Sequence, residues 1–138
     1  MTMRDDEAAL LRRLAGIMIP PDPGRGMPGA DDAAIMADIL ASIGRDGAAV
    51  RAALAALAAL GFAADRDERI ALDYLHAGSE AASVLGRVVL QCYYRDGRVL
   101  EALGHPARAP FPLGHSVEQG DFSLLDPVRA RAPFWRGA

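Results

Sequence analysis

The sequence predicts an all-α fold, a small bundle of about five to six helices followed by an extended, proline-rich C-terminal arm. Three observations predict it. Apolar residues recur at helical spacing through the first hundred positions, and no run alternates as a half-buried strand would. Glycines and prolines punctuate that pattern at intervals suited to helix ends. From His105 onward proline is frequent and sustained periodicity stops, although large apolar residues continue. The expected division is therefore a helical domain over 1–104 and an arm over 105–138 that packs on the domain or on a partner.

The first helix is expected from Asp5 to Ile17, where Asp5, Asp6 and Glu7 suit the positive end of its dipole. The segment IMIPPDPGRGMPG follows. Its residues 24–29 read GRGMPG, a literal G-x-G-x-x-G, the glycine spacing that cradles a dinucleotide pyrophosphate. That mechanism needs a buried strand entering the loop and backbone amides facing the phosphates. Pro20, Pro21 and Pro23 oppose the strand, and Pro28 removes a donor from inside the motif. The residues therefore predict a stiff connection that carries no nucleotide.

A second helix is expected to start at Asp31 or Asp32, either of which can cap it, and to end at Gly44. The third, from Asp46 to Leu60, places Val50, Leu54, Leu57 and Gly61 at heptad-like spacing and carries no charge from Ala52 to Ala64. A helix apolar all round is expected to be buried on every side, at the centre of the domain or against a partner. A charged fourth helix, DRDERIALDYL, stops near Gly78. Its opening carboxylates, Asp65, Asp67 and Glu68, suit a helix N-terminus better than a catalytic cluster. Ser79 then caps the fifth, with Ala81, Leu85, Val88 and Cys92 in one stripe, widened by Val89 and Tyr93. GRVLEALG adds a last turn or two, ended by Gly104.

Composition narrows the function. The 138 residues suit one domain, and the net charge of -3 gives no basic footprint for nucleic acid. All 15 basic residues are arginine. The most hydrophobic run, Ala52–Ala64, is shorter than a membrane span, so no direct membrane insertion is expected. Cys92, the single cysteine, excludes an internal disulfide and falls at an apolar helical position. His76, His105 and His115 lie in or near connections without metal-ligand spacing, and no serine sits in a nucleophile elbow. No catalytic, cofactor-binding or metal-binding residue is expected in this chain. The arm carries Phe111, Phe122, Leu124, Leu125, Val128, Phe134 and Trp135, too many large apolar side chains for a solvated tail.

Three segments, in order, carry a resemblance. They are IMIPPDPGRGMPGADDAAIMADIL, VVLQCYYRDGRVLEALGHPARAPFPLG and DFSLLDPVRARAPFWR. Ile19, Pro20, Asp22, Pro28, Gly29 and Ala30, then Tyr93, Tyr94, Asp96, Val99, Leu103 and Gly104, match in sequence the pattern of the gluconate 2-dehydrogenase subunit 3 family. Residues 45–67 match only as generic helix. The chain thus resembles the small subunit of flavin-dependent sugar and polyol dehydrogenases. The resemblance implies a non-catalytic chain that binds, stabilises and helps mature a large partner of the glucose–methanol–choline oxidoreductase type. FAD and the catalytic base would both belong to that partner.

Many members carry a twin-arginine export signal. This sequence starts almost directly at the first helix, so a cytoplasmic location is expected as written, or a periplasmic one after export with a partner or removal of a signal. A cytochrome partner, common in the family, is not expected. The interface expected with the large subunit comprises Tyr93, Tyr94, Phe111, Phe122, Leu125, Phe134 and Trp135, with Trp135 as hot spot. The alternative for the arm is a strap folded back over its own helices. The alternative for the chain is a stand-alone helical module holding a small apolar ligand.

Overall fold

A computed structural model describes residues 3–63, 68–109, 111, 112, 114 and 118–131. Among them the chain is helical and carries no strand, only an isolated bridge between Asp22 and Met27. It divides into two compact units, Met1–Arg108 and Ala109–Ala138.

Among the described residues the first unit holds six α-helices: α1 (Asp5–Met18), α2 (Ala33–Ser42), α3 (Gly47–Ala59), α4 (Glu68–His76), α5 (Glu80–Tyr93) and α6 (Gly97–Ala102). Side-chain caps set several starts. The Asp32 carboxylate accepts from the Ala34 and Ile35 amides at 3.0 and 3.4 Å. Ser79 Oγ accepts from Ala82 N–H at 3.1 Å, and the Asp96 carboxylate from Arg98 N–H at 2.9 Å. Gly44 does not end α2 as expected. That helix stops at Ser42, and Gly44, at φ 44°, opens a 3₁₀ turn over Gly44–Asp46 that leads into α3.

The core follows the expected stripes, except that on α5 Ala82 is buried and Ala81, expected in the stripe, is half-buried. Helix α5 buries Ala82, Leu85, Val88, Val89, Cys92 and Tyr93 and packs against α2, α3 and α4. Helix α1 buries Leu11, Leu14 and Ala15 and packs against α3 and α4. Ile35, Met36 and Ile39 of α2 and Val99 of α6 complete the same cluster.

Helix α3 is not buried on every side within the chain. It buries Gly47, Val50, Ala53, Leu54 and Leu57, while Ala48, Ala49, Ala52, Ala55, Ala56, Ala58 and Ala59 are exposed. The reason is the size of alanine: an uncovered methyl costs little, so a face without charge need not be a face without water. Helix α4 is described from Glu68, and Asp65 and Asp67 lie outside the described residues.

The GRGMPG segment forms a closed loop whose amides are used internally. Arg25 N–H donates to Asp22 O and Oδ1, Gly26 N–H to Pro23 O, and Met27 N–H to Asp22 O at 3.0 Å. Ala30 N–H donates to Ile19 O at 2.9 Å, which pins the loop's exit to the end of α1. Two glycines are required. Gly26 sits at φ 67°, in the left-handed region. A β-carbon at Gly29 would fall on Asp31 Oδ1 and stand 3.0 Å from Pro21 Cδ. Gly29→Ala is therefore expected to cost about 2 kcal/mol of stability, measured by urea unfolding. A cost near zero would mean that Pro21 and Asp31 yield freely.

The second unit contains a 3₁₀ turn, Phe122–Leu125, continuous with the short helix α7 (Asp126–Arg129). Asp121 accepts from Ser123 N–H at 3.0 Å and from Ser123 Oγ–H at 2.6 Å, and Pro127 occupies the first turn of α7. Local hydrogen bonds thus order a turn in which no described side chain is buried.

Candidate functional site

The tyrosine pair ends α5 and splits into two roles. Tyr93 is 1% exposed, and its hydroxyl donates to Pro28 O at 3.1 Å, tying the glycine loop to α5. Burial, reinforced by Tyr94, Asp22 and Asp96, raises its pKa above the ordinary tyrosine value. Tyr94 meets Tyr93 edge to face, with ring centroids 5.2 Å apart and an interplanar angle of 86°. It remains 52% exposed, and Leu90, one turn earlier on the helix, is 42% exposed. A partner can therefore touch Tyr94 and Leu90, whereas Tyr93 is part of the core. The i, i+4 spacing of Leu90 and Tyr94 was the available signal for Leu90.

Arginine–aspartate pairs brace the same side of the bundle. Arg98 holds Asp32 at 2.7 Å and Asp96 at 2.9 Å, linking the start of α6 to the cap of α2. Arg95 pairs with Asp38 through two contacts of 2.6 Å and also donates to Ser42 Oγ. Arg87 reaches Asp46 at 2.8 Å, joining α5 to the turn before α3. Hydrogen bonds from Arg98, with those from the Ala34 and Ile35 amides, hold the Asp32 pKa down to about 2, against burial that opposes them. The folded-state value lies below the ordinary 3.8, so this contribution to stability is full above about pH 4 and disappears as pH falls toward 2. Both side chains are partly solvated, so the contribution should be about 1 kcal/mol. Comparison of Arg98→Met with wild type in urea between pH 2 and 6 checks it. The two should differ most above pH 4 and converge at pH 2.

Cys92 is buried, and burial pushes its thiol pKa up, the reverse of what a nucleophilic thiolate needs. His76 and His105 are exposed, and His115 lies outside the described residues. Among the described residues no group of three or more His, Cys, Asp and Glu side chains is placed to hold a metal. Also among them, no helix is long and apolar enough to cross a membrane.

The C-terminal unit carries the most exposed apolar side chains. Phe111 is 88% exposed, and Phe122 and Leu125, named with it for the expected interface, are also exposed. Leu124, at 75%, and Val128 join them, although the expected interface did not include either. A turn too short to have two faces was the missed signal, because it displays consecutive residues such as Leu124 and Leu125 together. Phe134 and Trp135 lie outside the described residues.

These features define a small all-α protein with a cysteine-poor, ion-pair-braced helical unit and a C-terminal turn that displays apolar side chains. Comparison with family models, curated proteins and solved structures finds no match to the chain.

Proposed function

We propose that this chain is a non-catalytic small subunit that binds, stabilises and helps mature a large FAD-dependent dehydrogenase of the glucose–methanol–choline type. Its partner would act on sugars, polyols or related alcohols. The observation that carries this is the display of Phe122, Leu124, Leu125 and Val128 on a locally ordered C-terminal turn, with Phe111 also exposed in the same unit. A segment that orders itself through its caps while leaving its apolar side chains uncovered is suited to a partner's groove. The resemblance of the ordered motifs to those of the gluconate 2-dehydrogenase subunit 3 family is what points to this partner class. Tyr94 and Leu90 supply a second apolar contact on the helical unit.

Expression without a partner tests the obligate-subunit role. The chain alone should self-associate or aggregate, and co-expression with a large flavoprotein subunit from the same source should disperse it into a defined hetero-oligomer. A well-behaved monomer that ignores the flavoprotein would contradict it.

A further inference from the structure

We infer that the first unit carries a binding site for a small zwitterion of the α-amino-acid class, independent of the subunit role. A cavity of about 330 Å³ opens beside α1, at the small end of the range for ligand sites. Ala9, Gly16 and Ile17 of α1 line it together with four charged side chains. Arg12 and Arg13 come from α1, Asp31 from the turn before α2, and Glu68 from the start of α4. Two cations and two carboxylates leave the lining without net charge.

The bonding of these four groups is incomplete. Arg13 holds Glu68 through one contact, Nη2 to Oε1 at 3.3 Å. Its Nε is shielded from water and has no acceptor, the one such side-chain atom among the described residues. A shielded donor without an acceptor is costly, and a ligand oxygen removes that cost. The Arg13 side chain is 40% exposed, which leaves the guanidinium room to turn its Nε edge to a ligand. Arg12 and Asp31 are exposed and pair neither with each other nor with another described residue. Arg87, Arg95 and Arg98, by contrast, each hold an aspartate at between 2.6 and 2.8 Å.

Two glycines set Asp31 in place. A β-carbon at Gly16 would stand 3.0 Å from its Cγ, and one at Gly29 would fall on its Oδ1. The carboxylate therefore lies against the α1 backbone, one turn from the two arginines. A ligand carboxylate gives Arg13 Nε its acceptor and Arg12 a counter-charge, and an ammonium on the adjacent carbon pairs with Asp31. A lone anion would meet Asp31 and Glu68, and a lone cation would meet Arg12 and Arg13, which disfavours both. The ligand's own side chain is left against Ala9 and Ile17.

The test is titration of the full chain with L-valine, read by calorimetry and by backbone amide NMR. Valine should bind saturably and shift the amides of Ala9, Arg12, Arg13, Gly16 and Asp31. Isovalerate, which lacks the ammonium, and isobutylamine, which lacks the carboxylate, should not compete. Asp31→Asn and Arg12→Gln should each weaken binding about tenfold or more and keep the circular dichroism of the wild type. Arg13→Lys, which keeps the charge and removes the Nε donor, should weaken it as well. No binding of valine at millimolar concentration, shifts centred elsewhere, equal competition by either half-ligand, or unchanged binding by Asp31→Asn would each overturn the assignment.

Discussion

Leu85→Ala should remove about 3 kcal/mol of folding stability. Leu85 is wholly buried on α5, the helix against which α2, α3 and α4 all pack, so its removal opens a void that several elements line at once. Domains of this size have total stabilities on the order of 5–15 kcal/mol, so the variant should stay folded with a visibly lower urea midpoint. Ala55→Glu is the matched control. It lies on the exposed face of α3 and should change stability by less than about 0.5 kcal/mol. A cost for Ala55→Glu similar to that of Leu85→Ala would mean that the alanine face is covered in solution.

The second large effect concerns association. On the proposed subunit role, Phe122→Asp combined with Leu124→Asp should release the large partner while leaving the helical unit intact. Each side chain is exposed on the C-terminal turn, so neither substitution removes a core contact. If they are anchors in a partner groove, each is worth about 2 kcal/mol, or roughly 30-fold in affinity. Introducing a carboxylate into an apolar slot adds a desolvation cost. The measurement is retention of the flavoprotein on the tagged variant, beside its thermal midpoint. Full retention with unchanged stability would remove this turn from the interface and leave Tyr94 and Leu90 as the contact to examine.

Much of the bundle could be read from side-chain chemistry that acts locally. Asp32 and Ser79 cap α2 and α5 because a short side-chain acceptor before an apolar stripe has few other uses. The stripe Leu85, Val88, Val89, Cys92 and Tyr93 is buried as its spacing required. The chain itself does not bury helix α3 on every side, because alanine counts as apolar in a pattern yet contributes too little surface to demand cover. The end of α2 was misplaced because a glycine can open a turn as well as close a helix.

The candidate surfaces were less legible. Adjacent residues such as Tyr93 and Tyr94 look equivalent in sequence, but a helix turns about 100° between them, sending one to the core and the other to solvent. The exposure of Leu124 and Val128 could not be read from the sequence, because in a short turn it depends on caps and not on period. The arginine pairs join positions as far apart as 32 and 98, and no local pattern connects these.

The most direct measurement is to tag this chain in its native host, purify it gently, and record the visible spectrum and the masses of what accompanies it. A flavin spectrum with a much larger co-purifying chain is the predicted result. A colourless protein of its own mass would contradict the small-subunit role.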